Sequence, residues 1–185
     1  MDNRIISQLL RGLKVTTGYI LTLILFLIFT LPIITIAKDG MENALTIFSF
    51  LIFLFLFYTV YVEMRVIALK EKRPQYNINP PAYKGIFYGI IGIIPLTLFQ
   101  VILLMLKVPE DFLTFKRRLY QGFGGPLYWF SKFLGDEPIH YIISCILIII
   151  IAGLGYFAGY KDFYFLNFIR DKLGMKKKAK NKNVK

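Results

Sequence analysis

A single cysteine, Cys145, and a single histidine, His140, are all the sequence offers of the two side chains that most often build disulfides and zinc sites. One cysteine excludes an internal disulfide scaffold. A lone histidine outside any H-E-x-x-H spacing excludes the multi-histidine zinc centre, and no cofactor motif appears elsewhere. Acidic residues are scarce as well: 11 Asp and Glu face 23 Lys and Arg, a net charge of +12. The most informative absence is local. Val15–Ala37, Ala44–Val62, Ile86–Leu106 and Tyr141–Tyr160 contain no Asp, Glu, Lys, Arg or His. Ion-coupled transporters keep ionisable side chains in their spans to bind or relay the coupling ion, so these windows argue against that class.

What remains is apolar. Hydrophobic residues make up 56% of the chain, above the roughly 45–50% of soluble domains. About 20 apolar residues, rising 1.5 Å each, cross a hydrocarbon core of roughly 30 Å. All four windows meet that length, and backbone groups in lipid must bond within their own segment, so each is expected to be helical. The sequence therefore predicts an all-α fold: an integral membrane bundle of four transmembrane helices, with short interfacial helices in the outer loop (near 109–134) and at the C-terminus (near 162–173). Residues 1–175 form one transmembrane domain, and 176–185 a flexible polybasic tail. The first window exceeds a signal-peptide core and no small-x-small cleavage site follows, so it is read as a retained anchor.

The basic residues flank the windows instead of forming a soluble face, a pattern of membrane topology and not of nucleic-acid binding. Seventeen lie in the N-terminal leader, the middle loop and the tail; six lie in the first and third loops. Arginine and lysine are retained on the cytoplasmic side, which places both termini in the cytoplasm of a plasma-membrane protein. The six residues Lys38–Asn43 make the first two spans an antiparallel hairpin. The Pro-rich stretch K-E-K-R-P-Q-Y-N-I-N-P-P extends the chain before the third.

Several residues invite more than a spanning role. Gly85, Gly89 and Gly92 share a face of the third span, and Gly155 and Gly159 stand four apart in the fourth. Small residues at this spacing let helices approach closely, here the third span on the fourth. Pro95 is expected to kink the third span. Gln100, the only carboxamide in a span, suits an inter-helix hydrogen bond or a polar contact to a solute. Glu110-Asp111 and Asp136-Glu137 each sit beside a proline at a helix start and read as caps. His140 with Ser144 and Cys145 could form a nucleophile–base pair, but no third group is visible to orient the imidazole. No catalytic, cofactor-binding or metal-binding residue is assigned. Lys176, Lys177, Lys178, Lys180, Lys182 and Lys185 form a cluster suited to anionic lipid.

Three fragments, N-P-P-A-Y-K-G, G-F-G-G-P-L and G-L-G-Y-F-A-G-Y-K-D, resemble segments of small four-span membrane proteins of low-GC Gram-positive bacteria. That resemblance implies a bacterial plasma membrane and four spans, and carries no activity. Three function classes stay open, in order of support. The first is a non-catalytic subunit, assembly or regulatory factor that works through helix packing and surface contacts. Its partners are the lipid bilayer, anionic lipids, and a membrane-protein partner or a second copy of the chain. The second is a small transport component such as a substrate-binding subunit. The third is a lipid-acting membrane enzyme.

Overall fold

The computed structural model describes residues 5–37, 40–74 and 80–163. The lysines at 176–185, and all but the first residues of the 162–173 segment, lie outside the described residues. Among the described residues every regular element is helical. Four helical stretches are long and apolar enough to cross a membrane: α1 (Ile5–Ala37), α2 (Met41–Glu71), α3 (Lys84–Met105), and a pair that runs nearly continuously, α6 (Pro138–Ser144) and α7 (Ile146–Tyr160). Two shorter helices, α4 (Leu113–Phe123) and α5 (Tyr128–Leu134), lie between α3 and α6.

The helices are longer than the apolar windows, and the difference matters. Arg11 and Lys14, expected in a leader, are helical residues of α1. Helix α2 continues nine residues past Val62, so Arg65 and Lys70, expected in a loop, are helical too. Apolar windows end where charge begins, but helices end where capping or proline stops them. Here Pro74 follows α2 closely.

The buried residues keep helical spacing. Arg11, Val15, Tyr19 and Phe26 lie along one stripe of α1, and Leu56, Val60, Met64, Ile67 and Glu71 along one stripe of α2. These stripes meet Tyr88 and Leu96 of α3 and Ile148, Ala152 and Tyr156 of α7 in one core.

The glycines set how closely the helices pack. A Cβ on Gly89 would lie 2.9 Å from Cα of Ile149, and one on Gly85 would run into Tyr156. Those two seat α3 on α7. Gly92 instead meets α1, where a Cβ would lie 2.8 Å from the Gly12 carbonyl. Gly155 and Gly159 pack on α2 and not on α3: a Cβ at 155 would lie 2.6 Å from the Tyr61 carbonyl, and Gly159 abuts the Arg65 backbone. The two glycine sets thus hold different neighbours, because α7 sits between α2 and α3. Helix α3 runs unbroken through Pro95, and Thr16 of α1 donates to the Gly92 carbonyl one turn earlier (2.7 Å). A neighbouring hydroxyl of this kind supports helix carbonyls near a proline. A helix boundary falls at Cys145, between α6 and α7, where the Cys145 amide bonds the Ile142 carbonyl and the Ile148 amide bonds the Cys145 carbonyl.

The G-F-G-G-P-L stretch enters the bundle. Gly124, Gly125, Pro126, Leu127 and Tyr128 are all buried. Gly125 lies flat against the Phe26 ring and Gly124 against Tyr141, where any side chain would collide. Phe26 stands eleven residues before the end of α1, so the turn sits about 16 Å below that end at 1.5 Å per residue.

Candidate functional site

Glu71 ends α2 and is fully buried, at 0% exposure. Burying a carboxylate costs several kcal/mol unless its oxygens are satisfied, and the surrounding helices satisfy them. Oε1 accepts from Arg11 Nη1 of α1 (2.5 Å) and from the Tyr88 hydroxyl of α3 (2.5 Å). Oε2 accepts from the Tyr156 hydroxyl of α7 (2.7 Å) and lies 3.2 Å from Lys84 Nζ of α3. An ionised carboxylate has about four lone-pair sites; here it accepts three hydrogen bonds and pairs with the Lys84 ammonium. Arg11 also reaches the Tyr88 oxygen at 3.4 Å, and the Lys84 ammonium lies 5.5 Å from the centre of the Tyr88 ring. Every long helix therefore contributes to one centre. The carboxylate is thus enclosed by two cations and two phenols of the surrounding helices.

This centre was not visible as a site in the sequence, where Arg11 and Lys84 read as topology charges and Glu71 as part of a polar loop. The signal that finds it is register. Glu71 continues the buried stripe of α2 at helical spacing, and Arg11 continues that of α1.

At the opposite end the bundle is closed by backbone and hydroxyl groups. The Ser49 hydroxyl donates to the Gly125 carbonyl (2.6 Å) and accepts from the Trp129 amide (3.0 Å). The Tyr19 hydroxyl donates to the Phe123 carbonyl (2.6 Å). Above them a recess of about 470 Å³ is lined by Lys116, Arg117, Tyr120, Asp136, Glu137 and Tyr141 among others. Arg117 pairs with Asp136 at 2.9 Å, which raises the guanidinium pKa further. Asp136, at φ 58°, also takes a hydrogen bond from the Tyr141 hydroxyl. Lys116 donates to the carbonyls of Leu104 and Leu106, capping the end of α3.

The other residues singled out in the sequence have plain positions. Glu137 and His140 cap α6 reciprocally, with His140 Nδ1 accepting from the Glu137 amide (3.2 Å). Ser144 donates to the Tyr141 carbonyl (2.7 Å). His140 and Ser144 are thus turned to separate local bonds and not to each other. Glu110 and Asp111 lie in an exposed 3₁₀ turn before α4. Gln100 is buried at 1% exposure, and the Cys145 thiol approaches its Oε1 at 4.0 Å, linking α3 to the break in the last span. Among the described residues no three His, Cys, Asp or Glu side chains are grouped to hold a metal ion.

No protein family, curated protein or solved structure matches the chain. Its reading rests on its own residues.

Proposed function

We propose that this chain is a multi-pass protein of the bacterial plasma membrane, with both termini cytoplasmic, that acts without catalysis as a subunit, assembly or regulatory factor. The observation that carries this reading is the enclosure of Glu71 by side chains of the other three long helices. The buried charge centre of the bundle is used to tie four helices together, which leaves outward surfaces as the means of action. Those surfaces are extensive. Only 17% of the most apolar stretch of α1 is buried, against 50% for the last span. The asymmetry of lysine and arginine supports the orientation. With the Glu71 end inside, α4 lies at the outer interface, where exposed Phe112, Phe115 and Leu119 meet the headgroup region.

The test is purification in mild detergent at native expression, with mass spectrometry of what co-purifies. A stoichiometric membrane partner, or a second copy of the chain, supports the reading. A chain that comes away as a monomer with lipid alone contradicts it.

One observation favours transport as a second reading. The 124–128 turn is re-entrant in this orientation, and the last span breaks at Cys145 beside buried Gln100. Broken helices at membrane depth are where transporters bind solutes. Under that reading Gln100→Leu abolishes uptake of a solute while leaving the chain folded.

A further inference from the structure

Two grooves of nearly equal size open on the outward faces of the bundle. The one between α3 and α7, about 490 Å³, is lined by Tyr83, Ile86, Ile149, Ile150, Leu154 and Phe157 among others, and lipid tails fit it without cost. The one between α1 and α2, about 500 Å³, is different in kind: it carries Lys14, Thr17, Gly18, Tyr58, Thr59 and Glu63. Lys14 and Glu63 form an ion pair at 3.3 Å whose side chains stay 50% and 48% exposed. The Tyr58 phenol is 64% exposed, and its hydroxyl has no partner among the described residues. Lys14 and Glu63 stand one residue outside the apolar windows Val15–Ala37 and Ala44–Val62, where their charged heads reach the interface. Gly18 brings α1 close to α2 at the groove, where a Cβ would lie 3.3 Å from Val60.

The charges are self-complementary. Lys14 and Glu63 stand at one depth on adjacent antiparallel helices. A two-fold axis along the membrane normal, passing through the groove, sets α1 of one copy opposite α2 of the other. Lys14 then faces Glu63 of the second copy, and Glu63 faces its Lys14, in an isologous contact. We propose that this groove is the interface of a homodimer, closed by a ring of four charges of alternating sign. The proposal rests on the membrane reading above and names the partner as a second copy of the chain.

The experiment is cross-linking in native membranes between two differently tagged chains. One carries Thr17→Cys and the other Tyr58→Cys; Cys145, at 1% exposure, is left in place. A short bifunctional maleimide should join the two tags, while chains carrying Leu154→Cys on the α3–α7 groove should not be joined. Lys14→Glu or Glu63→Lys in both copies should lower the cross-linked fraction by about tenfold, the scale of one or two lost interhelical bonds. Co-expressing a Lys14→Glu chain with a Glu63→Lys chain should restore it, because only contacts between copies are then paired. Neutral Lys14→Met and Glu63→Gln give the same test if the reversed chains do not accumulate. Groove thiols that join no better than Leu154→Cys, or charge reversals without effect, overturn the dimer. Release of the wild-type chain from membranes at alkaline pH overturns the membrane reading itself, so the two failures are distinct.

Discussion

At one end of the bundle a single carboxylate, Glu71, gathers side chains from α1, α3 and α7. At the other end no charge is buried among the described residues, and the chain itself turns into the bundle at Gly124–Tyr128, held by the hydroxyls of Ser49 and Tyr19. The two solutions follow from what each end has to close. Four helix ends converge at Glu71, and long charged side chains can reach a common point from all of them. At the loop end the chain itself packs against α1 and α2, which is tolerated because Gly125 and Gly124 fit flat against Phe26 and Tyr141 and because the Phe123, Gly124 and Gly125 carbonyls find donors. Charge specifies an arrangement at one end, and shape does so at the other.

That contrast ranks the expected damage. Glu71→Ala leaves Arg11 and Lys84 buried without their carboxylate, and breaking such a pair costs about 3–5 kcal/mol. The variant should melt far below wild type in detergent, or fail to accumulate. Gly125→Ala drives a methyl into the Phe26 ring, and overpacking of this kind costs about 1–3 kcal/mol. Limited proteolysis should then cut near 122–128 while the Glu71 end stays protected. Ser49→Ala removes one hydroxyl that serves both the Gly125 carbonyl and the Trp129 amide, and should lower stability by about 1–2 kcal/mol. Lys72→Ala is the smallest. Its pair with Asp162 is exposed on both sides, and such pairs contribute about 0–1 kcal/mol. If Lys72→Ala proved as harmful as Glu71→Ala, burial would not be what separates them.

Much of the architecture could be read from the residues. Four uncharged windows marked four long helices because no other pattern lets twenty apolar residues satisfy their backbone. The hairpin of α1 and α2 followed from its six-residue link. The Glu71 centre was hidden by the same rule that found the spans: a window that ends at the first charge assigns Arg11, Glu71 and Lys84 to flanks. Arg11 and Glu71 are also sixty residues apart, beyond any local pattern. Helical register was the usable clue, since Glu71 falls in step with Leu56, Val60, Met64 and Ile67. G-F-G-G-P-L was legible as a chain break but not as an insertion, because its burial depends on the space left beside Phe26 and Ser49. The partners of Gly155 and Gly159 were equally out of reach: glycine spacing marks a face for close approach without naming the helix that approaches.

The central claim is that Glu71 holds the bundle together. The most direct measurement compares thermal melting, in one mild detergent, of Glu71→Leu with a chain in which the whole centre is made apolar: Arg11→Met, Glu71→Leu, Lys84→Met, Tyr88→Phe and Tyr156→Phe together. A buried polar cluster removed as a unit is replaced at little cost, whereas removing one member strands the rest. The account predicts that the single variant melts far below wild type and that the fivefold variant recovers most of the loss. A single variant as stable as wild type, or a fivefold variant as unstable as the single one, would contradict it.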